Sequence, residues 1–185
     1  AIDENFDLLS ARGYVALALG NDKQATEFTN RALASDGDGY NISSIAVLYL
    51  AGRTKDMIAM ADRQIDENGD YGYGQIWKAM ALQREGQSGA ARSLLAKTVE
   101  SHREDWPGML MKWMLGKLDD EALLAKAREG TDQDVRNQMC EANFYLGEHY
   151  FRKGDKEKAA AYLAAALDTK VYNYIEYYSA NSTNS

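Results

Sequence analysis

The sequence predicts an all-α chain built from repeated helix–turn–helix hairpins, and three observations predict it. The 185 residues contain one proline, against about nine at average usage. Helix interiors exclude proline because it lacks the backbone N–H and clashes with the preceding turn. The apolar stretches are rich in alanine and leucine and follow helical rather than alternating spacing. Finally, Gly20, Gly52, Gly86 and Gly154 each stand between two helical stretches, separated by 32, 34 and twice 34 residues.

The elements follow in order from that punctuation. The first copy, 6–37, carries Gly13, Gly20, Asn21, Ala25 and Ala32, and departs from the pattern at Arg12, Ala16 and Thr29. The second, 38–71, keeps Ile45, Leu48 and Gly52 but has Met57 and Gln64 in slots that expect alanine, and its second helix should stop at Gly69. The third, 72–105, has Ala79, Leu82, Gly86, Ala91 and Leu95. The fourth, 106–139, is degenerate. Pro107 suits the first turn of a shortened helix, Asp119 is an N-cap for a second helix over 120–129, and an extra connection is expected around 130–137.

The fifth copy, 140–173, is the clearest: Asn143, Leu146, Gly147, Tyr150, Gly154, Asp155, Ala159, Leu163 and Ala166. Gly147 leaves room for the partner helix, and Leu146 and Tyr150 share one helical face. Gly154 can take the left-handed conformation that ends a helix. Ala159 and Ala166 keep the second helix close to its neighbours. A last helix over 174–180 is cut short and would cover the exposed end.

This period and these positions resemble the tetratricopeptide repeat, a helical hairpin of about 34 residues. The resemblance implies one domain over 1–185, a right-handed superhelix of five repeats with 174–180 as a truncated capping helix. Gly13, Ala25, Ala32, Gly147, Ala159 and Ala166 are then the small residues of repeat packing.

A narrower likeness covers 106–178. Its parts are Met114-Leu115-Gly116-Lys117-Leu118, Asp120-Glu121-Ala122-Leu123-Leu124, the run from Cys140 to Tyr150, and Val171-Tyr172-Asn173-Tyr174-Ile175-Glu176. These stretches are similar to the NlpI-type tetratricopeptide lipoproteins of proteobacteria. That likeness implies a periplasmic adaptor at the outer membrane that binds a processing protease and peptidoglycan hydrolases, with a homodimer as a possible state. Cys140 is placed inside the chain at a helix start, so it is not the anchor cysteine. The chain starts at Ala1 and ends in a polar tail, so it reads as a processed or excised piece, from which any targeting segment or lipid anchor would have been removed. A cytoplasmic location is the alternative.

Composition excludes several classes. A net charge of −7 disfavours nucleic acid and anionic membrane as partners. One cysteine forms no internal disulfide, and two histidines with one cysteine leave little for zinc. No cofactor is expected, and no apolar run reaches the roughly eighteen residues of a membrane span.

The candidate reactive residues do not assemble, and no enzyme activity is expected. Cys140 and His149 are nine residues apart on one expected helix, about 900° of turn, and so point to opposite faces. His102 falls among Glu100, Arg103, Glu104 and Asp105 and is expected in solvent. Asp36-Gly37-Asp38-Gly39 opens like a calcium loop, but Tyr40 and Val47 replace its later ligands. It reads as a turn, as does 66–70. Asn181-Ser182-Thr183 matches a glycosylation acceptor, without meaning in a bacterial chain.

Such a stack binds other proteins or peptides. The first helix of each tetratricopeptide hairpin lines a concave groove. Its slots hold Asp7, Ser10, Tyr14, Leu17 and Ala18, then Ile42, Ala46, Tyr49 and Leu50, then Tyr73, Ile76, Met80, Gln83 and Arg84, and finally Glu141, Phe144, Glu148, Phe151 and Arg152. The groove candidates are Tyr14, Tyr49, Tyr73, Met80, Arg84, Phe144, Glu148, Phe151 and Arg152, since tyrosine, methionine and arginine dominate interface energetics. The same residues can instead pack beneath a neighbouring repeat. No lysine–asparagine clamp for a C-terminal carboxylate is present, so a segment with apolar anchors is expected. Tyr172, Tyr174, Tyr177 and Tyr178 either cap the last repeat or form a dimer face. Self-assembly as a structural module is the alternative function.

Overall fold

The computed structural model describes residues 6–35, 42–68, 72–171, 174, 176–177 and 179–180. The side chains of several helical residues, Tyr14, Leu17, Ala18, Ile42, Ala46 and Leu50 among them, lie outside that description, as do 36–41, 69–71, Tyr172, Tyr178 and the 181–183 acceptor.

Among the described residues the chain is all-helical. The helices are α1 (Phe6–Ala18), α2 (Asp22–Ala34), α3 (Ile42–Leu50), α4 (Thr54–Asn68), α5 (Tyr73–Arg84), α6 (Ser88–Thr98), α7 (Trp106–Met114), α8 (Asp120–Lys126), α9 (Asp132–Lys153) and α10 (Lys156–Asp168). They form two compact units, Ala1–Ala91 and Arg92–Ser185.

In the first unit α1 packs along α2, and α3 packs on α1, α2 and α4. Gly13 lets the first two helices approach: a Cβ there would stand 3.2 Å from Thr29 Oγ1 and 3.4 Å from the Ala25 carbonyl oxygen. Ala25 and Ala32 are fully buried. Asn21 caps α2 by accepting a hydrogen bond from the Gln24 N–H at 3.2 Å. Ser44 of α3 donates to Ser10 of α1 at 2.9 Å, which satisfies two buried hydroxyls inside an otherwise apolar contact.

The α4–α5 contact explains the degenerate second copy. Met57 and Gln64 are buried where alanines were expected. The space comes from the opposite helix, because a Cβ on Gly74 of α5 would fall onto the Gln64 amide. Large and small residues have exchanged sides of the contact, which conserves its volume. The Gln64 Oε1 atom has no hydrogen-bond partner among the described residues.

In the second unit Asp105 caps α7, accepting from the Gly108 N–H at 2.9 Å, with Pro107 in the first turn. Asp119 caps α8 through the Ala122 N–H at 2.8 Å. α9 packs along α10 at a close approach, where a Cβ on Gly147 would stand 2.7 Å from Leu163 Cγ. Ala159 and Ala166 of α10 are buried.

The left-handed turns fall where expected, at Gly20, Gly52, Gly86 and Gly154. At Gly154 (φ 80°) the N–H bonds back to the Phe151 carbonyl at 3.0 Å, and the Asp155 N–H to that of Tyr150 at 3.0 Å. Only a residue without a Cβ turns the chain this way cheaply.

Three readings of the sequence are corrected, and one turn glycine is added. Gly116 (φ 74°) is a further turn glycine, between α7 and α8. The connection expected at 130–137 is mostly helix, because Thr131 and Asp134 form a reciprocal capping box that starts α9 at Asp132. Cys140 therefore lies in the interior of a 22-residue helix, not at its start. His102 is buried, not solvated. Its Nδ1 is 2.5 Å from Asp105 Oδ2, and a Cβ on Gly108 would collide with its carbonyl.

Candidate interaction surfaces

Of the groove candidates of the first unit, Tyr49 and Arg84 meet in a stacked pair, with Trp77 beside them. Tyr49 is 1% exposed, and its ring meets Trp77 edge-on at 5.6 Å. The Arg84 guanidinium lies over the face of that ring, 3.5 Å from its centre, and donates to the Tyr49 carbonyl at 2.7 Å. Closing over the ring desolvates Arg84 and lowers its pKa from the ordinary value. Met80 is buried. Tyr49 and Met80 are therefore enclosed rather than presented to solvent. Arg84, exposed, and Tyr73, half-buried, are what the unit presents. Tyr14 belongs to α1, with its side chain outside the description.

The candidates of the second unit divide in the same way. Phe144 and Glu148 are buried in α9. Phe151, at 49% exposure, and Arg152 face solvent one turn later. A half-exposed aromatic ring is a residue type enriched at protein interfaces.

Sequence reasoning missed a second cluster beside it. The carboxylate of Asp120, at the start of α8, accepts from Trp113 Nε1 at 2.9 Å and from the Tyr150 hydroxyl at 2.5 Å. Tyr150 stacks on Tyr162 of α10 at 5.7 Å, and His149 meets Trp113 edge-on at 5.3 Å. Lys158 places its ammonium 4.7 Å from the centre of the Tyr150 ring, and Lys153 at 5.9 Å. The hydrogen bond to Asp120 holds the Tyr150 hydroxyl in its protonated form, with its pKa pushed up to about 12. Burial lowers that of His149, with help from Lys153 and Arg152. The cluster ties α7, α8, α9 and α10 together next to the exposed Phe151 turn. Its sequence signal was weak, since Trp113 and Asp120 lie on either side of an unrecognised turn.

Cys140 and His149 sit in separate surroundings on α9. Burial pushes the Cys140 thiol up to about 12, and it hydrogen-bonds Thr169. A neutral, enclosed thiol is a poor nucleophile. Among the described residues no group of three or more His, Cys, Asp or Glu is placed to hold a metal ion, and no helix is long and apolar enough to cross a membrane.

No family model matches this chain.

Proposed function

We propose that this chain is a protein-binding scaffold of the tetratricopeptide type, a right-handed superhelix of helical hairpins with no chemical step of its own. One observation carries the reading: side chains meet at the repeat period. Ser44 reaches Ser10 across 34 residues, Arg84 reaches Tyr49 across 35, and Trp106 reaches Glu141 across 35. Residues one period apart meet when successive hairpins stack in the same orientation, which is how such repeats build a shared binding surface. The packing of α1 on both α2 and α3 favours the same reading.

The partner is a polypeptide segment that anchors on exposed Phe151 and Arg152. Together with the likeness of 106–178 to the NlpI-type lipoproteins, this favours a periplasmic adaptor that recruits a protease or cell-wall hydrolase. Pull-down from periplasmic extract tests it. Wild-type protein should retain such a hydrolase, and Phe151→Ala/Arg152→Glu protein should lose it. Equal recovery by both rejects the site, and recovery of no hydrolase rejects the adaptor role.

A second reading, self-assembly, draws on Val15 and Leu19, which lie one turn apart at the end of α1 at 55% and 79% exposure. Light scattering over a concentration series separates the two. A strict monomer removes self-assembly, and dissociation by Leu19→Glu supports it.

A further inference from the structure

The C-terminal end of the second unit buries a carboxyl group against another helix. Glu176 is 4% exposed, and its Oε1 accepts a hydrogen bond from the Tyr145 hydroxyl of α9 at 3.2 Å. Ser179 and Ala180, a turn further along, are fully buried.

The described groups around Glu176 offer it no counter-charge. From α9 it meets Tyr145, and both Glu176 and Glu141 lie close enough to Cys140 to oppose ionisation of the thiol. Glu141 is itself buried and accepts from Trp106 Nε1 at 2.9 Å. Glu148 is buried further along the same helix. Thr169, after the end of α10, bonds Cys140 and carries no charge. On the segment itself Tyr174 and Tyr177 are half-buried. Among the described residues no cation contributes to the environment of Glu176.

A buried carboxylate served by one neutral phenol and its own backbone N–H, with no counter-ion among the described residues, is disfavoured in its ionised form. The carboxylic acid is tolerated, because it carries no charge to desolvate. Burial accordingly pushes Glu176 up to about 7.

We propose that Glu176 is a proton-operated latch: as the acid it seats Glu176, Ser179 and Ala180 against α9, and on losing its proton to water it leaves, uncovering the α9 face that carries Cys140 and Tyr145. The sign follows from linkage. The docked state holds the proton more tightly than the released state, whose Glu176 has an ordinary carboxylate pKa. Docking is therefore strongest below the ordinary range. It weakens by up to about tenfold per pH unit as pH rises towards 7, and levels off above it. The latch stands on the geometry of this segment and does not depend on the binding role proposed above.

Cys140 supplies a built-in reporter, as the single cysteine of the chain. Its reaction with 4,4′-dithiodipyridine is followed from pH 5 to pH 8 in wild-type and Glu176→Gln protein. The thiol's own ionisation affects both proteins alike, so the ratio of their rates isolates the latch. The ratio of wild type to variant should rise at least about tenfold between pH 5 and pH 7 and then flatten. A ratio that stays constant overturns the proposal. Should Glu176→Gln fail to fold, amide exchange of the 174–180 region in wild-type protein decides. Protection, corrected for intrinsic exchange, must fall over the same interval, and unchanged protection overturns the latch.

Discussion

The Arg84 guanidinium caps the Tyr49 ring at 3.5 Å and bonds the Tyr49 carbonyl at 2.7 Å, thirty-five residues away in sequence. One planar group satisfies two different demands, a π face and a main-chain acceptor at the end of α3. A cation over a partly desolvated ring contributes about 1 kcal/mol, and a charged donor to a carbonyl about as much again. Exposure of Arg84 reduces both. Arg84→Ala should therefore destabilise the protein by about 1 kcal/mol, read as a lower urea midpoint. Arg84→Lys should recover little, because an ammonium has no flat face to stack while it donates. Full recovery by lysine would show that charge alone matters at this contact.

Two glycine substitutions should have opposite signs. Gly147→Ala places a Cβ 2.7 Å from Leu163 Cγ, with the Leu163 backbone nitrogen at 3.3 Å. The helices must separate or Leu163 must leave its rotamer, at a cost of about 1–3 kcal/mol. Gly89, in the first turn of α6, has nothing within 4 Å of the equivalent position. Gly89→Ala should stabilise by about 0.5 kcal/mol, because alanine loses less backbone freedom in a helix. Thermal unfolding of both variants checks the pair. Equal shifts would contradict the close α9–α10 packing.

Gln64 should be improvable. Its Oε1 is buried without a hydrogen-bond partner among the described residues, a desolvation penalty of about 1–3 kcal/mol. Methionine has nearly the same length and shape, and Gly74 opposite already provides the space. Gln64→Met should raise the urea midpoint by an amount corresponding to about 1 kcal/mol. Gln64→Ala should lower it, by opening a cavity against Gly74. A loss of stability in the methionine variant would mean that the amide makes a favourable interaction there.

These contacts also separate what was legible in the sequence from what was not. Turn glycines are readable because no other residue takes their backbone conformation at low cost, and four of them stood at one period. Gly116 escaped because it lies 30 residues after Gly86 and 38 before Gly154, so the irregularities cancel only across the pair. The start of α9 was hidden by polar composition. Thr131 to Asn137 resembles a loop until Thr131 and Asp134 are recognised as caps of each other. Periodicity places Tyr49 and Phe151 in comparable slots of their hairpins. It does not reveal that Arg84 closes over the first while the second remains half exposed. His102 is a tertiary effect of the same kind, since its enclosure depends on Gly108 meeting its backbone.

Asp120 offers the sharpest electrostatic test. Its two carboxylate oxygens are divided between Trp113 Nε1 and the Tyr150 hydroxyl. An asparagine in its place would keep one acceptor but turn an NH2 towards the other donor. Asp120→Asn should therefore lose one of the two hydrogen bonds, about 1–2 kcal/mol. Tyr150 also reports on the carboxylate directly, because Asp120 is the largest cause of its rise to about 12. Removing that charge should bring Tyr150 back towards the ordinary phenol range, making it ionise at lower pH. Ultraviolet titration of wild-type protein, Asp120→Asn and Tyr150→Phe identifies the transition: the step absent from Tyr150→Phe should move down in Asp120→Asn. An unmoved step would mean that desolvation, not the carboxylate, holds the phenol protonated. A double-mutant cycle between Asp120→Asn and Tyr150→Phe gives the coupling independently, and it should be favourable because each residue satisfies the other across the α8–α9 contact.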